Sequence, residues 1–186
     1  MDKNEGGVFV RMAKKLVQQG FAVFRFDFRG HGESAGESVD MTVAGEILDL
    51  EAAIDHVHQA GYEYVGLVAA SFGGSIASLF LAKNPGLVHA LCLWNPVLNY
   101  IHTFVKPFLP WLAAKKNQLQ SKIEDQGWTR IGSANYKIGA KLWQDFQQLK
   151  PYQSLKKLAM PTCILHGDAD QHVPYIDAKK YSQVTT

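Results

Sequence analysis

The chain has 186 residues, 47% of them apolar, and 19 basic against 17 acidic side chains leave a net charge of +2. That length buries one sizeable core with room for an insertion, and the balanced charge gives no single-sign field of the kind that seats nucleic acid or an anionic membrane. No basic leader precedes an apolar segment, and no apolar run approaches the ~20 residues of a bilayer span, so a cytoplasmic protein without membrane insertion is expected.

Phe9, Met12, Ala13 and Leu16 recur at helical spacing before Gly20, which predicts a first helix ending near Gln19. Residues 21–28, FAVFRFDF, then read as a strand, stopped by the turn Arg29-Gly30-His31-Gly32. Arg25 and Asp27 fall inside that strand, where lone charges are costly, and are expected to be paired. Val43, Ile47, Leu50, Ile54 and Val57 predict a second helix, with Asp40 or Thr42 as its cap and Gly61 at its end.

Residues 64–74, YVGLVAASFGG, form the most telling stretch. Continuous small and apolar residues suit a parallel strand buried on both faces. The run stops at Ser71 and passes at once into a glycine-rich helix start, which predicts a sharp strand-to-helix turn that exposes an oxygen nucleophile. The pattern is small-x-Ser-x-Gly, with Ala69 in the first small position and Gly73 in the last; bulk at either is expected to meet the neighbouring strand or helix. A helix through Ile76, Leu79 and Phe80 must stop at Asn84-Pro85. A strand over Ala90–Trp94 follows, and the whole alternation predicts a parallel α/β sheet flanked by helices.

Between residues 96 and 159 the alternation breaks, with helical patterns interrupted by Pro107, Pro110, Gly127, Gly132 and Gly139. This reads as a helical insertion over 97–159 between core segments 1–96 and 160–186. The parallel pattern resumes with a strand over Thr162–Leu165 and a turn across residues 166–174, HGDADQHVP. Cys92 and Cys163 sit in short apolar runs that read as buried strands, as reduced thiols packed in a core do. No histidine or cysteine pair has metal-ligand spacing, and no metal or cofactor is expected.

The segments RFDFRGHGES (25–34), AASFGG (69–74) and LHGDADQHVP (165–174), in that order, resemble the α/β-hydrolase superfamily, in particular its serine aminopeptidase-like and esterase-like branch. The resemblance implies an incomplete α/β-hydrolase fold with a helical cap. It implies a serine hydrolase that cleaves a carboxylic ester, or a related amide or thioester, through an acyl-enzyme on Ser71. A serine hydroxyl needs a base to take its proton and a carboxylate to hold that base. Asp170 is the expected acid, at the carboxyl end of a parallel strand, with Asp168 as its competitor. The Phe72 amide is the expected oxyanion donor.

The family's loop that gives a second oxyanion donor has no counterpart after Met1, and no histidine follows Asp170 at the family's spacing before Thr186. The chain is therefore expected to be truncated at both ends and impaired, with a gap in its sheet beside residues 21–28. His31 and His166 match supporting turn histidines, His56 and His58 fall on a helix, His89 precedes a strand, His102 lies in the insertion, and His172 is the surrogate base to consider. Phe104, Phe108, Trp111, Leu112 and Trp143 are expected to form either a pocket wall or the insertion's own core. Lys115, Lys116 and Lys122 read as a solvated face. The expected partner is a small ester or acyl substrate; a non-catalytic binding protein and an acyltransferase are the alternatives.

Overall fold

The computed structural model describes residues 2–132 and 136–184; Met1 and Thr186, the ends of the expected core, lie outside them. Helix α1 (Val8–Gln18) ends in a turn in which the Gly20 amide donates to Val17, and Gly20 takes a φ of 87° open to glycine. Helix α2 (Val43–Gln59) is capped by Thr42, whose hydroxyl accepts from the Gly45 amide at 3.0 Å. Asp145 also accepts from the Val43 amide, at 2.8 Å.

Strands β1 (Gly66–Ala70), β2 (Ala90–Trp94) and β5 (Thr162–Leu165) form one parallel sheet in the order β1-β2-β5. Helix α3 (Phe72–Leu81) joins β1 to β2 and packs on α2. Leu91 and Leu93 of the central strand are 2% and 0% exposed, and Ile76, Ala77, Phe80 and Leu81 of α3 are equally buried. Burial of this apolar area is the main force holding the layers together.

The expected strand over 21–28 does not form. Among the described residues the amides of 22–28 make no backbone–backbone hydrogen bond, and no ladder includes them. Aromatic content favours extended backbone, but a strand needs a partner that supplies the alternating bonds. What survives is the period of two: Phe24 stacks on Phe26 at 6.2 Å, and Phe26 meets Phe28 at a tilt, at 4.8 Å. The segment is tied down by side chains instead. Asp27 pairs with Lys3 at 2.9 Å, Arg25 donates to the Lys3 carbonyl at 2.7 Å, and the Arg29 guanidinium forks onto Asp49. Arg25 and Asp27 are thus partnered, as their position demands. Burial opposes ionisation of Asp27, yet the Lys3 ammonium and the Glu33 and Lys3 amides outweigh it and hold the carboxyl below its usual range.

The stretch after β2 holds a π-helical turn (Ile101–Val105), α4 (Pro110–Ala113), α5 (Lys116–Gln126) and α6 (Ala140–Gln148). It also holds a two-stranded antiparallel ladder, β3 (Trp128–Arg130) with β4 (Lys137–Gly139), beyond the helices the sequence led us to expect. The glycines that interrupt the helical pattern bracket this ladder: Gly127 ends α5 at a φ of 80°, and Gly139 lies against the Val39 carbonyl so closely that a Cβ would collide with it. The last helix is α7 (Tyr175–Tyr181).

Cys92 and Cys163 are free thiols in register on adjacent strands. Cys163 is exposed rather than buried, because β5 is the outer strand of the sheet and carries alternate side chains to solvent. Among the described residues no helix is long and apolar enough to cross a membrane.

Candidate active site

Ser71 stands between the last residue of β1 and the first of α3, with φ 51° and ψ −122°. A non-glycine residue rarely occupies that region, and strain of about 1–3 kcal/mol is retained there only where the surroundings over-determine it. Three hydrogen bonds do so. The Ser71 amide donates to Trp94 at 2.9 Å, and the Ser71 carbonyl accepts from Val97 at 2.9 Å and from Gly74 at 3.1 Å. The backbone is thereby locked while the Oγ forms no hydrogen bond among the described residues.

The close approach that the turn requires is made at Gly74 and not at Gly73. A Cβ on Gly74 would lie 2.8 Å from that of Pro96, whereas one on Gly73 would meet only the Phe28 ring, at 3.9 Å. Phe72 is the first helical residue, so its amide belongs to the unpaired first turn of α3. Its ring is buried against Tyr100, Phe146 and Phe104 at 5.6, 5.7 and 6.3 Å. This cluster docks the π-helical turn and α6 onto the start of α3, and Tyr100 adds a hydrogen bond of 2.8 Å to Ser75.

Asp170 lies in the turn that follows β5. Because β1, β2 and β5 are parallel, that turn and Ser71 share the carboxyl rim of the sheet, with the end of β2 between them. The rim is stitched across by the Ser71-to-Trp94 bond and by the Asn95 amide, which donates to Leu165 at 2.7 Å. The Asp170 carboxylate accepts from the His172 and Val173 amides at 2.8 and 3.0 Å, and its other oxygen faces His166 Nε2 at 3.3 Å. Asp168 is exposed. Asp170 is therefore the carboxylate held in place, and Asp168 is not.

Each histidine has a partner of its own. His31 sits between the Arg29 carbonyl and the Tyr136 hydroxyl, and burial pushes its pKa down. His56 packs on Phe24, His58 meets the Leu87 carbonyl, and His89 accepts from the Val65 amide. His166 donates to the Val173 carbonyl at 3.2 Å. The His172 ring packs against Trp111 at 5.4 Å, and it is the His172 backbone amide that meets Asp170. His102 forms a bond of 2.9 Å to Asp177, a pair that spans 75 positions and that no local pattern reveals. Burial pushes the Asp177 carboxyl up, against the pull of His102. None of these contacts involves Ser71.

Of the five candidate wall residues, Leu112 and Trp143 are 1% and 4% exposed and belong to the core. Phe104 stacks on Phe146 within the same cluster, Phe108 is exposed, and Trp111 lines a cavity. No group of three or more His, Cys, Asp or Glu side chains is placed to hold a metal ion among the described residues.

Comparison with known proteins agrees with this fold. Human monoglyceride lipase is 28% identical over 196 aligned positions, which cover 89% of this chain and 61% of that protein. A prolyl endopeptidase-like protein of Gallus gallus is 23% identical over 176 positions, 90% of this chain but 22% of that protein. The chain thus spans less than two thirds of these relatives. Est1E from Butyrivibrio proteoclasticus, solved with ferulic acid bound, superposes with a TM-score of 0.80 at 22% identity over 98% of this chain and 71% of that one. A monoacylglycerol lipase of Paleococcus ferrophilus gives 0.68 at 18% identity, over 97% and 75%. The model of the serine aminopeptidase S33 family matches residues 3–184, and the chain belongs to that family of α/β hydrolases.

Proposed function

We propose that this protein is a serine hydrolase for a small carboxylic ester, with Ser71 as nucleophile, Asp170 as the acid of its relay and the Phe72 amide as oxyanion donor. The observation that carries the reading is the strained backbone of Ser71, φ 51° and ψ −122°, at the junction of a parallel strand and a helix. Strain of this kind is maintained where a side chain must be presented at a site. The hydroxyl attacks the ester carbonyl, the alkoxide leaves with a proton, and water releases the acid from the acyl-serine. Negative charge on the tetrahedral carbon's oxygen meets the first-turn amides of α3.

The base is the part this chain lacks in place. All seven histidines are engaged elsewhere, and Asp170 spends its oxygens on its own turn and on His166. The reading therefore includes impaired turnover by the 186-residue chain. Residues 97–159 act as a cap over the serine in this account, and a cytoplasmic setting keeps Cys92 and Cys163 reduced.

Fluorophosphonate labelling tests it. Slow labelling at Ser71 is expected, accelerated by added imidazole in the native chain and absent from Ser71→Ala. Labelling of Ser71→Ala at the native rate would defeat the reading; fast labelling that ignores imidazole would defeat the impairment.

A further inference from the structure

The carboxyl rim carries a cavity that neither Ser71 nor Asp170 accounts for. It measures about 220 Å³ and is lined by Trp111, Leu112, Lys115, Arg130, Gly132 and His172. The walls come from α4 and the turn behind it, from β3 and the glycine after it, and from the turn that follows β5. Trp111 Nε1–H donates to the His172 carbonyl at 2.9 Å, and the His172 amide donates to Asp170 at 2.8 Å. The cavity therefore shares a wall with the turn that holds the candidate acid.

Its charge is one-sided. Lys115 and Arg130 are both exposed, neither forms an ion pair among the described residues, and no acidic side chain lines the cavity. The Arg130 guanidinium lies 5.4 Å from the Trp128 ring, a contact that orients its planar fork without neutralising it. Leu112, 1% exposed, and Trp111 supply an apolar surface between the cations. Two like charges at one mouth repel each other, and an anion between them relieves the repulsion. The volume falls below the ~300 Å³ at which pockets for drug-sized molecules begin, so it suits a head group and not a long chain.

We infer that this cavity binds the anionic end of the substrate, a carboxylate or phosphate joined to a short apolar or aryl group. Arg130 takes the anion through its fork, and Lys115 adds a point charge. The inference rests on Ser71 as the nucleophile and names the substrate class of that site: esters that carry a negative charge away from the scissile bond.

Binding without turnover tests it. Phenylacetate, phenyl phosphate and neutral phenylacetamide are titrated into the native chain, Ser71→Ala, Arg130→Lys and the double variant Lys115→Gln/Arg130→Gln, with folding checked by circular dichroism. The expected result is that at least one anion binds tenfold or more tighter than the amide, that added salt erodes the preference, and that Ser71→Ala keeps it. Arg130→Lys, which keeps charge but loses the fork, is expected to weaken the preference, and the double variant to abolish it. The tighter anion identifies carboxylate or phosphate as the natural group. Equal binding of amide and acids, or a preference that survives in the folded double variant, overturns the inference. Failure of Ser71 to label while the anion preference persists would instead sink the nucleophile and leave the cavity standing.

Discussion

Residues 21–28 and strand β2 are both short, aromatic or aliphatic runs that propensity assigns to strands, yet only β2 is one. Strand β2 has a ladder on each side, to β1 and to β5, and its Leu93 is fully buried. The 21–28 run has no ladder among the described residues and leaves Phe21 and Phe24 62% and 50% exposed. The difference shows that sequence selects an extended backbone, while hydrogen-bonded neighbours decide whether it becomes part of a sheet.

Truncation measures that contrast most directly. Leu93→Ala is expected to cost about 3 kcal/mol in urea unfolding, through lost transfer energy and a residual cavity. Phe24→Ala, half exposed, is expected to cost less than about 1 kcal/mol. Equal losses would show that the irregular run belongs to the cooperative core after all.

A second measurement probes how α2 is anchored beneath that run. Glu46 is 1% exposed, with one oxygen lacking a hydrogen-bond partner, and its pKa is pushed up to about 8, by burial first and then by Asp49, against Arg29. The folded chain keeps this proton up to about pH 8, whereas the unfolded chain releases it above its ordinary value of 4.5. Stability is therefore complete below that value and falls as pH rises toward 8. Glu46→Gln is expected to remove that fall, a difference of about 4–5 kcal/mol between the two chains' pH responses. Parallel stability curves for both chains would show that Glu46 is not held neutral.

A third measurement concerns the rim itself. Ser71→Gly relieves a φ of 51° and is expected to stabilise the fold by about 1 kcal/mol while removing all fluorophosphonate labelling at that position. A destabilised Ser71→Gly would mean that the turn is not strained.

Much of this arrangement is legible in the sequence. The apolar run before Ser71 and the turn before Asp170 mark the ends of two parallel strands, and the rim that unites them follows from strand direction. What local patterns cannot carry is contact across distance. The β3–β4 ladder is three residues a side and is bracketed by glycines that read equally well as helix breaks. The His102–Asp177 pair and the meeting of Lys115 with Arg130 at one cavity depend on how the stretch after β2 folds back. The close packing at Gly74 rather than Gly73 depends on where Pro96 returns.

Among the described residues the two non-glycine residues with positive φ, Ser71 and Asn95, stand at the ends of adjacent strands, each held by a bond to the next strand over. Conformational tension is thus concentrated along one border and restrained by those backbone bonds and the strands behind them. Gentle heating is expected to relax both bends before the core melts, so fluorophosphonate labelling at Ser71 is expected to fall ahead of the global transition followed by circular dichroism.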